Sequence, residues 1–371
     1  MKILEPVEFK NLKLKNRIAW TPAVTCLATD EGDVTNELID RHVKRAKDGA
    51  GLIQVEACGV LDRKSPKLLR ICEDSNIAGH KKLTDAIHAY GAKCSVQLIH
   101  FLKLSVRTGW KQDVADLAYD EIDEIVQQFV SAGERAKKAG YDAVELHAAH
   151  GYTLASFISL LNKRTDQYGS GTVGRCKIVV DIIKGIRGVV GPDYCLGARI
   201  NGDEFVRGGS TIKQAVEVAK IIGEAGLDFV SVSAGGKTED GAWYTGYSGE
   251  RTMPTSAYPW GCHVYLSDAV RKAVSPLGIP VITAGRIQSL KHGEEILNEG
   301  KADIIGFCRP MLCDPEWLTK QLEGREKEII PCAYCNTCQD RDRVFEPVNC
   351  VVYEKYCEKK GIEPYKPVYQ G

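Results

Sequence analysis

"YDAVELHAAHGY", residues 141–152, decides how the rest of the chain is read. Its centre, Ala143–His147, is a short strand-like run. It follows a stretch of helical period, Glu121–Gly140. A second histidine, a glycine and a tyrosine come straight after it. A strand that is apolar on nearly every position belongs in a parallel sheet with helices on its faces. The fold therefore turns on how many such units the chain contains.

Working outward, the same unit recurs. Strand candidates are Arg17–Pro22, Leu52–Cys58, Lys93–His100, Leu196–Asn201, Phe229–Ala234, Pro280–Ala284 and Asp303–Cys308. Helical stretches lie between them. Thr211–Ala225, for example, has apolar residues at Ile212, Ala215, Val216, Val218 and Ala219, and Gly226 beyond it as a stop. Eight strands, each followed by a helix, give an α/β chain of the (β/α)8 TIM-barrel class. An open doubly wound sheet is the alternative that element order alone leaves standing.

In a barrel, chemistry sits at the C-terminal ends of strands and in the loops after them. Gln97 and His100 end the third strand. His147, His150 and Tyr152 follow the fourth, and Arg199 ends the fifth. Gly285-Arg286 and Cys308-Arg309 close the seventh and eighth.

Bulk properties exclude several classes. The 371 residues carry 49 Lys+Arg and 49 Asp+Glu, a net charge of zero. That argues against a nucleic-acid or anionic-membrane binder, which needs a basic footprint. No apolar run reaches the ~20 residues of a membrane span, and no export signal is visible. Most of the 14 cysteines, such as Cys58, Cys94 and Cys195, stand singly in apolar runs. They read as small buried hydrophobes of a cytoplasmic protein.

The exception is "PCAYCNTCQDR", residues 331–341. Cys332, Cys335 and Cys338 stand at two-residue gaps, and Cys350 follows after eleven more residues. Structural zinc usually takes two separated Cys-x2-Cys knuckles. Three clustered thiolates and a distant fourth form the pattern of a [4Fe–4S] cluster. Zinc and unliganded thiols are the alternatives, and Cys357 competes with Cys350 as fourth ligand. The barrel pattern gives way near Arg325–Ile330, which divides the chain into a barrel, 1–325, and a four-cysteine extension, 326–371.

Four stretches carry a resemblance. "ELHAAHGYTLASFISLLNKRTDQYG" (145–169), "NGDEFVRGG" (201–209), "KNRI" (15–18) and "VQLIH" (96–100) resemble the old yellow enzyme family of FMN-dependent barrels. The cysteine spacing resembles its iron–sulfur branch, that of 2,4-dienoyl-CoA reductase and trimethylamine dehydrogenase. The resemblance covers roughly residues 1–355.

It implies an FMN site built from Pro22, Ala23 and Ala57 as a wall for the flavin ring, with Gln97 on the pyrimidine edge. Arg199 faces N1/O2, where reduced flavin gathers negative charge. Gly285, Arg286, Cys308 and Arg309 hold the phosphate. Relatives usually carry glycine in place of Cys308, a change that keeps the backbone donor. Gln97 and Arg199 would otherwise be structural polar residues of the barrel mouth. Val24 stands where many members have a flavin-tuning thiol, so a cysteinyl-FMN link is not expected.

For catalysis the resemblance implies that His147 and His150 grip a substrate carbonyl while Tyr152 protonates the α-carbon. A Tyr152 that merely packs the pocket, with water as proton donor, is the plainer reading. The expected activity is an ene-reductase acting on an α,β-unsaturated carbonyl, an enoyl- or dienoyl-CoA thioester. An amine dehydrogenase passing electrons out through the cluster comes second, and a non-catalytic electron carrier third.

"GSGTVG" (169–174) fits the Gly-x-Gly-x-x-Gly letters but follows a polar loop, not a strand, and reads as a chance match. With the chain ending soon after Cys350, no internal dinucleotide-binding domain is expected. Electrons then come from a separate electron-transfer protein through the cluster, or from NAD(P)H over the flavin. "HFLK" (100–103) replaces the usual motif after strand three. The following loop reads as short, which would widen the mouth for a bulky thioester. A homo-oligomer is the default for such a barrel.

Overall fold

Eight parallel strands close on themselves: β1 (Ile18–Trp20), β2 (Leu52–Gly59), β3 (Lys93–Ile99), β4 (Ala143–Ala148), β5 (Cys195–Asn201), β6 (Phe229–Ser233), β7 (Val281–Thr283) and β8 (Ile304–Phe307). The seam is the pairing of β8 with β1, where Phe307 lies opposite Trp20. The chain is therefore a (β/α)8 barrel, and each expected strand ends within two residues of the observed one. This computed structural model describes residues 1–62, 65–102, 104–105, 110–111, 113–236 and 248–369.

The principal outer helices are α1 (Asn36–Lys47), α2 (Ile77–His88), α3 (Tyr119–Lys138), α4 (Gly171–Val190), α5 (Ile212–Glu224), α6 (Val264–Val274), α7 (Leu290–Asn298) and α8 (Trp317–Leu322). Their starts are written in the sequence. Thr35 caps α1 by accepting from the Leu38 N–H at 3.1 Å. The long α3 opens on Asp120 and Glu121 and ends on Arg135, Lys137 and Lys138, matching the helix dipole. The 169–174 glycine stretch opens α4 after a turn, with no strand before it. Gly169 is there for space, since a Cβ would lie 2.1 Å from the Arg164 carbonyl oxygen.

The barrel interior has two unlike ends. At the bottom, Ala19, Leu52, Ala143, Cys195, Phe229, Ile282 and Ile304 form a closed apolar cluster with Leu12 and Leu14. Those two leucines belong to an N-terminal hairpin, Val7–Phe9 with Leu12–Leu14, that plugs the barrel floor. Phe9 meets Phe229 edge-on at 6.0 Å. Sequence periodicity does not reveal this hairpin, because three-residue strands are too short to show alternation.

The extension carries α9 (Thr337–Arg343) and α10 (Val351–Lys360) and packs over the opposite end. Ile330, Val348 and Cys350 join the main apolar core. Arg41 of α1 donates to the Val348 carbonyl at 2.6 Å and to Asn349 Oδ1 at 2.7 Å. The Tyr365 hydroxyl accepts from the Cys350 N–H at 2.7 Å. The fourth cysteine is thus held by the barrel's first helix and by the chain end. Among the described residues, no helix is long and apolar enough to cross a membrane.

Candidate active site

The end of β4 makes a tight turn. His150 (φ 63°) and Gly151 (φ 75°) both sit in the left-handed region, which turns the chain back over the barrel mouth. The turn brings three rings together. His147 and His150 lie 5.0 Å apart between centroids, and His147 and Tyr152 4.9 Å. The Ala149 N–H donates to His147 Nδ1 at 3.4 Å, a tautomer that leaves the proton on Nε2. Ser233, at the end of β6, orients the His150 ring by a 2.7 Å bond to Nε2. His100, in contrast, is tied to Thr153 Oγ1 at 2.7 Å and does not line this cavity.

Beneath these rings lies a carboxylate that the sequence reading passed over. Glu145, fully buried on β4, accepts from Gln97 Nε2 at 2.7 Å, Gln54 Nε2 at 2.7 Å and Arg199 Nε at 3.2 Å. The Ser231 hydroxyl donates to it as well. A carboxylate only accepts, so it settles which end of each amide faces it. One Nε2 proton of Gln97 is committed downward; the amide keeps Oε1 and its second proton for the mouth. Arg199 has its charge balanced by the same carboxylate, in a setting where an unpaired charge would be costly. A bulge of β2 between Val55 and Ala57 brings Ala57 to the same level.

On the far wall, Gly285 (φ 117°) and Arg286 (φ 55°) form a left-handed pair after β7. A Cβ on Gly285 would fall 2.6 Å from His263 Nδ1, so only glycine fits. Arg286 donates to the Ser256 carbonyl at 2.9 Å, and Arg309 to the Pro254 carbonyl at 2.9 Å. Burial, with help from Arg251 and Arg309, depresses the His263 imidazole to about 4. It is neutral, and its Nε2 is buried without a partner, as is Arg286 Nε.

Above Glu145, which does not itself reach the lining, the mouth holds one cavity of about 200 Å³. Pro22, Ala23, Ala57, Gln97, His147, His150, Tyr152, Arg199, Gly285, Arg286, Cys308 and Arg309 are all brought together in it. His263 and Ser233 join them, and Val24 lies in its wall. The short-loop expectation falls largely on residues 103–112, of which 103, 106–109 and 112 lie outside the described residues.

The tail thiols surround a second, smaller cavity. Cys332, Cys335, Cys338 and Cys350 all line it, whereas Cys357 does not. All are free. Burial raises the Cys332 thiol to about 11 and that of Cys338 to about 12. A hydrogen bond with Cys313 pulls the Cys350 thiol down from its usual value, against the effect of burial. Among the described residues, these thiols form no group of three with every sulfur within 4.8 Å of the others. Cys338 lines the large cavity as well as the small one.

A family model described as NADH:flavin oxidoreductase / NADH oxidase matches residues 2–114 and 102–328. The chain belongs to this family. It has the closed barrel of the old yellow enzymes, the FMN-binding members of that family. It is 38% identical over 360 residues to an NADH oxidase of Thermoanaerobacter brockii, covering 91% of this chain and 53% of that one. It is 28% identical over 394 residues to a cinnamate reductase of Clostridium sporogenes, covering 94% and 57%. The solved complex of 2-naphthoyl-CoA reductase with 2-naphthoyl-CoA superposes with a TM-score of 0.84 at 26% identity, covering 96% of this chain and 58% of that one. The chain thus spans little more than half the length of these relatives.

Proposed function

We propose that this flavoprotein is an ene-reductase acting on the C=C of an α,β-unsaturated carbonyl compound, an enoyl- or dienoyl-CoA thioester. Its electrons arrive through a [4Fe–4S] cluster or from NAD(P)H. The observation that carries this is the convergence of His147, His150 and Tyr152 on the cavity that also holds Gln97 and Arg199. The likeness to the cinnamate reductase and to the 2-naphthoyl-CoA reductase supports the substrate class.

The residues present suit FMN. Gln97 offers a donor and an acceptor to a pyrimidine edge, and Arg199 a cation to the N1/O2 side. The orphan His263 Nε2 is an acceptor suited to a polyol hydroxyl, and Arg286 Nε a donor suited to a phosphate oxygen. Gly285, Arg286, Cys308 and Arg309 supply the phosphate end, and Pro22, Ala23 and Ala57 the wall. FMN held there would supply hydride chemistry toward the alkene β-carbon. His147, donating from Nε2, and His150 hold the carbonyl oxygen as charge develops on it, an effect worth about 10²–10³ in rate per donor. The Tyr152 hydroxyl delivers the proton to the α-carbon.

The four thiols suit a cluster better than a single zinc, whose tetrahedral 2.3 Å bonds need sulfurs about 3.8 Å apart. Residues 326–371 are then a cluster-bearing extension on a barrel of residues 1–325. Cys335, the exposed member, faces an outside electron-transfer protein, and Cys338 the flavin.

The test is anaerobic. Reduced protein is mixed with unsaturated acyl-CoA thioesters and with simple enones while the flavin band is followed. Rapid reoxidation by one of these classes is expected. A flavin that stays reduced with every alkene, yet bleaches when oxidised protein meets amines, would replace the proposal with an amine dehydrogenase.

A further inference from the structure

Tyr334 stands between the first two cysteines of the tail run, yet its ring belongs to the other cavity as much as to its own. It lines both. Its backbone is left-handed (φ 52°), a region that favours glycine and that a bulky residue enters only when its surroundings hold it there. What holds it is a pair of guanidinium groups. Arg286 and Arg309 each stand 4.7 Å from the ring centroid, and Trp260 meets the ring edge-on at 5.4 Å. Arg286 is also stacked on Trp260, at 4.1 Å.

Two residues on, Asn336 is left-handed as well (φ 61°). It accepts from Arg309 Nη1 at 2.7 Å and donates to the Met253 carbonyl. The Tyr334 N–H points to Cys332 Sγ at 3.4 Å. One short loop therefore touches the thiols through its backbone and the two arginines of the phosphate end through its side chains. Both guanidinium groups are in contact with the Tyr334 ring, and the peptide that carries the ring donates to Cys332 Sγ, so a continuous chain of contacts joins the two arginines to the thiols.

We propose that Tyr334 is a positioning residue that couples the two cavities. Occupation of the phosphate end fixes Arg286 and Arg309 against the ring and so orders the Cys332–Cys338 loop in its ligand-ready form. Filling of the thiol cavity in turn sets the two arginines for the phosphate. The inference rests on reading the upper cavity as the FMN site and the thiols as the ligands of an iron–sulfur group.

Linkage makes the effect reciprocal, so it can be read from either side without measuring turnover. Whole protein is prepared with iron and sulfide loaded, and again after chelator treatment. FMN binding to each is titrated by fluorescence quenching, and iron loss to a chelator is timed with and without FMN. In wild type, the loaded form is expected to bind FMN about tenfold more tightly, and FMN to slow iron loss by a similar factor.

Tyr334→Gly relieves the left-handed backbone but empties a buried site, so its fold is checked first by circular dichroism; the folded variant should still bind both groups, with that factor reduced to about one. Tyr334→Phe keeps the ring between the guanidinium groups and should keep the factor. Equal linkage in wild type and Tyr334→Gly, or none in wild type, overturns the coupling. A wild-type protein that binds no FMN, or no iron, overturns the assignment of that cavity instead, and the coupling with it.

Discussion

The two ends of the barrel interior are built on the same strands and do opposite work. Along β6, Phe229 lies in the apolar floor, while Ser231 and Ser233 reach the Glu145 carboxylate and the His150 ring. Along β4, Ala143 is floor, Glu145 is the hub and His147 is mouth. A strand period of two sends all three inward, and only their height differs. The floor buys stability through packing and the hairpin seals it. Toward the mouth the interior turns polar and every charge needs a partner. Substitutions at the two ends should therefore separate folding from chemistry.

The largest effect is expected at the floor. Phe229→Ala removes a fully buried ring that packs against Phe9 and the face of Gly197. Chemical denaturation should show a loss of about 3–5 kcal/mol, with turnover per folded molecule little changed. Next comes the mouth, where His147→Ala should cut the rate of flavin reoxidation by an unsaturated thioester about 10²–10³-fold, with a melting temperature near wild type.

Glu145→Gln sits between the two regimes. An amide turns one of its ends into a donor facing donors, at a cost of about 1–3 kcal/mol. It also leaves the Arg199 charge unbalanced. FMN binding should weaken, and spectroelectrochemistry should find the flavin potential raised, because an uncompensated cation favours the reduced form.

The smallest effect concerns Glu56, the residue in the β2 bulge. Burial lifts its carboxyl from 4.5 to about 7, against two bonds donated by Thr25. Between those values the folded chain keeps a proton that the unfolded chain releases. Stability should fall as pH rises from about 4.5 to about 7 and change little from this group above that. Glu56→Gln should flatten the slope in a pH series of melting curves.

Most of this architecture could be read directly. Near-continuous apolar runs gave eight strands, and strand ends gave the mouth residues, because in a barrel the two are linked by geometry. The floor hairpin was not legible, being too short to show a period. Glu145 was legible in principle: an acidic residue at the centre of a strand buried on both faces must have donors around it. His263 was not. It stands in "YPWGCHVY", and what marks it is its contact with Gly285 after the neighbouring strand. Tyr334 was visible as a letter inside the cysteine run, but its left-handed backbone and its two arginines emerge only in three dimensions.

The most direct test of the division between floor and mouth is a single-turnover experiment. Pre-reduced wild type, His147→Ala and Phe229→Leu are mixed anaerobically with one unsaturated acyl-CoA thioester that reoxidises the wild type. The expected result is reoxidation of Phe229→Leu at close to the wild-type rate and of His147→Ala at least a hundredfold more slowly. Equal rates for His147→Ala and wild type would show that the chemistry does not pass through this mouth.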